Sequence, residues 1–303
     1  MSKKIHCPEC GACDTTIKHG ATRNGTQRYR CKACGKTFIT NTSPTKYLKN
    51  SDYTIRKLIG YMIDDVALDV IARNLKINIK TAHYYRYLVF HSLKGYQDEI
   101  RLSGSIMIDE TFMRIKENEY KLRRMDGKGI RGLSFNQLCI ITLTNLQGLC
   151  TAKISSRAMA MPDDYKRLFN QNLYKVKRFL HDGNPRQVQF MNQFSCEKID
   201  TRRDESGDYS TDIIDSLHSN IKRYLFKHAG YRMKNLQHYL NFFVYRYNQL
   251  ILACSNNKTQ QLKAKNRIVD DLFKRIIEGP KVITYQTYLN DKGIMNILES
   301  RLD

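Results

Sequence analysis

Hydrophobic positions follow more than one rhythm along this chain, and the changes of rhythm mark its divisions. From Tyr53 to about Asp65 they recur at helical spacing, with Ile55, Leu58, Ile59 and Met62 on a common face. Val70, Ile71 and Leu75 form the face of a second, shorter helix. Lys76-Ile77-Asn78 then makes a turn, and Asn78 is placed to cap a third helix whose inner face is Ala82, Tyr85 and Leu88. This spacing predicts a helix-turn-helix over residues 53–95, with the third helix in the recognition position. Its outer residues Lys80, His83, Tyr84 and Arg86 suit phosphates and base edges. An ordinary helical hairpin would show the same period.

Beyond Gly95 the rhythm shortens to that of strands. Ile106-Met107-Ile108 reads as a short buried strand ending in the acidic pair Asp109-Glu110. A basic insert precedes QLCIITLTN and LCTAKISS, which the turn residues Gln147-Gly148 join as antiparallel strands. Pro162 to Asn170 reads as a helix with acids in its first turn. Lys175 to Leu180 is a further strand, ending in His181-Asp182-Gly183-Asn184. Glu197 to Tyr209 reads as a charged loop. A long helix from about Thr211 to His228 buries Ile214, Leu217, Ile221 and Leu225, with Gly230 as its C-cap. Asp212, Asp215, His218 and Lys222 line up near its other side. An aromatic helix, NLQHYLNFFVYRYNQL, is expected to pack on the sheet. One more helix, near Arg267 to Glu278 and stopped by Gly279-Pro280, lies in a tail (251–303) to which no role is assigned.

Composition adds a partner. A net charge of +22 exceeds what solubility requires and predicts a polyanion, with double-stranded DNA favoured. No apolar run is long enough to span a bilayer, and Met1 is not followed by an apolar leader. A cytoplasmic, nucleoid-associated protein without a membrane partner is therefore expected. Five of the nine cysteines fall in the first 34 residues. The knuckles CPEC and CKACGKTF are the sequence form of a zinc ribbon over residues 1–40, with Cys7, Cys10, Cys31 and Cys34 holding one structural Zn²⁺ and Cys13 spare. A ribbon this small should fold only with its metal. His19, Arg23, Arg28, Tyr29 and Arg30 give its hairpin a basic, aromatic surface, and the polar stretch 40–52 reads as a linker.

Asp109, Asp182 and Asp215 are far apart in sequence, yet each ends or rides a core element. Brought to one face of a sheet, such acids repel unless cations hold them. Mg²⁺ or Mn²⁺ suits oxygen ligands, and two ions about 3.5–4 Å apart are the arrangement for in-line phosphodiester chemistry. Lys222, two turns beyond Asp215, can hold the scissile phosphate.

With CPEC, CKACGKTF, IDETF, HDG and DSLHSNIKRYL, the chain resembles the DDE-type insertion-sequence transposases with an N-terminal zinc ribbon and helix-turn-helix, over roughly residues 5–250. The resemblance implies an α+β multidomain protein whose catalytic domain, residues 103–250, is an RNase H-like mixed sheet flanked by helices. It implies Asp109, Asp182 and Asp215 as ligands of two catalytic ions, with Lys222 at the family's seven-residue offset from the third acid. Asp215 stands where most of the superfamily has Glu, which leaves Asp212 and His218 as alternative third ligands. The implied activity is strand cleavage at element ends and transfer of the 3′-hydroxyl to target DNA, by a homo-oligomer of at least two chains. A DNA-binding regulator built on an inactive catalytic fold, and a zinc-ribbon nuclease without strand transfer, are the competing readings.

Overall fold

The computed structural model describes residues 5–7, 10, 12, 15–23, 25–39, 52–128, 130, 132–203, 209–228, 230–253, 258–278 and 283–300. Cys13, Cys254, most of the expected linker and the Gly279-Pro280 stop lie outside them. The chain divides into two compact units, residues 1–92 with 266–290, and 93–265 with 291–303.

In the first unit, β1 (Thr16–Ala21), β2 (Gln27–Cys31) and β3 (Thr37–Ile39) form an antiparallel sheet. Among its described residues only Cys7 and Cys31 are buried, so apolar burial alone cannot hold it. The helices follow the predicted order: α1 (Asp52–Ile63), α2 (Leu68–Asn74) and α3 (Ile79–Ser92). The Asn78 side chain accepts a hydrogen bond from the Lys80 amide at 2.9 Å, which starts α3. The tail contributes as well. Over its later half α9 (Lys258–Ile277) packs on α1, where Arg56 pairs with Asp270 and lies over the Phe273 ring. α10 (Tyr285–Leu289) sets Tyr288 5.1 Å from Tyr87 of α3. The tail thus holds more than the one expected helix.

The second unit is a five-stranded mixed sheet in the order β6-β5-β4-β7-β8. These strands are β4 (Leu102–Arg114), β5 (Gln137–Asn145), β6 (Cys150–Arg157), β7 (Leu173–His181) and β8 (Glu197–Asp200). β4, β5 and β6 pair antiparallel, whereas β7 joins β4 and β8 joins β7 in parallel. This is the RNase H-like arrangement. Two expectations change here. The strand expected at Ile106–Ile108 is 13 residues long, so Asp109 lies inside it. The stretch from Glu197, expected as loop, opens with β8, because an edge strand on β7 needs only one buried side and keeps its charges.

Alternation along β4 feeds two cores. Ile106 and Ile108 face Tyr165, Phe169 and Phe190, carried by α5 (Pro162–Phe169) and α6 (Pro185–Met191). Met107 faces Leu180 and Ile214, the latter on α7 (Asp212–Lys227). The C-cap of α7 is His228 rather than Gly230, whose φ is not in the left-handed region.

The outer edge of β6 is closed by side-chain amides. Asn248 of α8 (Leu236–Leu252) accepts from the Cys150 amide and donates to its carbonyl, both at 2.9 Å. Gln97 of α4 (Tyr96–Glu99) does the same for Ala152, at 2.7 and 2.8 Å, and Gln237 accepts from Ile154 at 2.9 Å. α11 (Met295–Leu298) is tied to the same strand by Arg157, which donates to the Leu298 carbonyl at 2.6 Å. No helix among the described residues is long and apolar enough to cross a membrane.

Candidate metal centres

The ribbon cysteines converge. The sulfurs of Cys7, Cys10, Cys31 and Cys34 lie within 4.8 Å of one another, with Cys7–Cys34 and Cys10–Cys31 both at 3.6 Å. Four sulfurs about 2.3 Å from a central Zn²⁺ would stand about 3.8 Å apart, so the set fits a closed tetrahedral zinc site. The Thr15 hydroxyl and the Cys34 amide bond to the Cys31 sulfur and draw its thiol down to about 6.

The second cluster sits where β7 stops. Met107 pairs with Leu180, and carrying that parallel register two residues further brings Asp182 alongside Asp109. β4 continues past this point while β7 does not, which opens the Asp109 side of the sheet. Ligand atoms of Asp109, Asp215 and His218 lie within 4.8 Å of one another. Asp182 stands outside that trio but close enough for its charge to act on Asp109. Burial raises the Asp109 carboxyl to about 6, and Asp182 and Asp215 push it the same way. The Thr211 hydroxyl donates to Asp215 at 2.8 Å.

His218 is oriented from behind. Its Nε2 lies 2.6 Å from the Thr142 hydroxyl, which donates its one proton to the Asp109 carbonyl at 3.1 Å. Nε2 must then carry the ring proton, leaving the Nδ1 lone pair turned toward the Asp109 carboxylate, 3.6 Å away. Burial and the nearby Lys222 lower the imidazole to about 4, so it is neutral near pH 7. Two lone-pair donors face each other with no proton between them. That arrangement fits a bound cation, with Thr142 as the partner that fixes the ligating ring.

A further residue escaped sequence reasoning. Gln187 of α6 is fully buried beside Asp109, yet neither of its amide atoms makes a hydrogen bond of good geometry. Such a group fits the hydration shell of an ion held by Asp109. Its only sequence signal is its place one helical turn beyond the Asp182 turn.

Other residues singled out in the sequence lie outside the cluster. Glu110 points to the opposite face, where Tyr165 and Cys139 donate to it. Asp212 is exposed and outside the trio. Lys222 is exposed on α7. On α3 only Lys80 of the four expected DNA contacts is exposed. Tyr84 turns inward, its hydroxyl donating to the Ile283 carbonyl and its ring 5.7 Å from Tyr285. Arg86 lies 3.1 Å from the His83 ring.

The loop that carries Asp182 depends on Gly183. Its φ of +77° is left-handed, and an added Cβ would lie 1.6 Å from the Arg202 guanidinium that pairs with Asp200. Gly183→Ala is expected to cost about 1–2 kcal/mol of backbone strain and to displace Arg202. Thermal unfolding should show a midpoint lower by about 2–8 °C; an unchanged midpoint would mean the loop tolerates the side chain.

Fold and clusters together define a multidomain α+β protein, with a four-cysteine zinc ribbon ahead of an RNase H-like sheet that carries a carboxylate–imidazole cluster. Residues 1–35 match the family model described as the InsA N-terminal domain, a zinc ribbon. The match covers both knuckles and bears out the zinc ribbon, the first of the segments on which the resemblance to insertion-sequence transposases rests. Among solved structures, a Mos1 transposase paired-end complex with the left transposon end matches at 12% identity and a TM-score of 0.25, covering 67% of this chain and 78% of that one. A pre-cleavage Mos1 transpososome matches at 10% identity and a TM-score of 0.24, covering 76% and 79%. Likeness at this level carries no functional argument.

Proposed function

We propose that this protein is a DNA transposase that cuts at the ends of an insertion sequence and transfers the freed 3′-hydroxyl to target DNA. The observation that carries the reading is the meeting of Asp109, Asp215 and the Nδ1 atom of His218 beside Asp182. Asp109 on β4, Asp182 in the turn that follows β7, and Asp215 with His218 on α7 would hold divalent cations between them. Bound there, such ions polarise phosphate oxygens and lower the pKa of an attacking water or hydroxyl. The imidazole in the donor set favours Mn²⁺ over Mg²⁺. Thr142 holds the ring, Gln187 orients water beside Asp109, and Lys222 binds the phosphate of the cut strand. The ribbon and the helix-turn-helix, with Lys80 outward, recognise the ends. Two ends must be joined, so the working form is at least a dimer, acting at the nucleoid.

The test is incubation of the full chain with DNA flanking its gene and Mn²⁺ or Mg²⁺, with strands separated on a denaturing gel. Nicks that leave 3′-hydroxyls, together with joined products, are expected. Nicks without joining would indicate a nuclease, and tight binding without cleavage in either metal would indicate a regulator.

A further inference from the structure

We infer that Phe226 is a stacking platform for unpaired bases of the DNA strand that runs along α7; the inference rests on the DNA-processing reading above and deepens it. Phe226 is 84% exposed, unusual for a phenylalanine on a helix whose other face fills a core. At 100° per residue, Asp215, Ser219, Lys222 and Phe226 fall within about 60° of one another around the helix. Phe226 therefore continues the line that begins at the metal cluster, about 16 Å further along the axis. Lys222, Arg223 and Lys227 are exposed around it, so the ring stands in a cationic surface. An apolar protein partner would leave those charges without a counterpart. A nucleic-acid strand matches both features, its phosphates meeting the cations and a base face meeting the ring.

The chain contains no tryptophan, so Phe226→Trp introduces a single reporter. Two fluorescein-labelled probes are compared without added Mg²⁺ or Mn²⁺: a paired duplex, and the same duplex ending in unpaired thymidines. Phe226→Ala is expected to weaken binding to the splayed probe about 5- to 150-fold, and to the paired probe less than twofold. Phe226→Trp should retain wild-type affinity, and its emission should be quenched by the splayed probe alone. Equal loss on both probes, or an unquenched tryptophan in a bound complex, would overturn the platform while leaving the transposase reading intact. Failure of the wild-type chain to bind either probe would overturn both.

Discussion

Asp109→Asn is expected to abolish metal-dependent strand cleavage, with a loss of about 10³-fold or more, while leaving DNA binding as tight as in the wild type. The substitution keeps shape and removes charge. Asp109 is the one acid that the register sets against both Asp182 and the pair on α7, so no neighbour can take over its share of the cation. Ion-assisted charge stabilisation contributes several kcal/mol to such a reaction, and each 1.36 kcal/mol is tenfold in rate. The metal-free protein should not lose stability. Burial and the charges of Asp182 and Asp215 all disfavour the ionised side chain, and asparagine relieves them. The unfolding midpoint without divalent ions is therefore expected to stay or rise. A variant that loses cleavage, binding and thermal stability together would assign Asp109 a structural role.

Cys31→Ser carries the other large effect. Cys31 is buried in β2, hydrogen-bonded to Thr15, and 3.6 Å from the Cys10 sulfur. Structural zinc contributes about 10–16 kcal/mol to folding such a module, and the described residues of this ribbon form no apolar core to replace it. Zinc measured on the purified chain should fall from one ion to none. Binding to DNA should weaken, while the second unit, with its own cores, should melt as before. Zinc content of one ion in the variant would remove Cys31 from the ligand set.

Where the sequence could be read and where it could not follows from the range of the forces involved. The knuckles were legible because four thiolates must meet within one short module. The three helices before residue 93 were legible because an amphipathic period is a local property. Asp215 and His218 could be put on one helix for the same reason. The extent of β4 was hidden, since a strand feeding two different cores shows no simple alternation of apolar and polar residues. The inward turn of Tyr84 was hidden too, because its partner Ile283 is 199 residues away. Gln187 was invisible: nothing in NPRQVQF states that a glutamine of this helix will be buried beside a carboxylate of β4. Sequence placed the acids on elements, and only register brought those elements together.

The amides that close β6 bear on how far this chain can be shortened. Asn248 and Gln237 lie some ninety residues after the strand they cover. A product ending before α8 would keep all five strands and yet bare the outer edge of β6 at Cys150 and Ile154, a template for pairing with another copy. Fragments meant to isolate the sheet should therefore run past Leu252. During synthesis the same strand waits for its cover until the helix has emerged, which makes that interval the period of greatest exposure to misassembly.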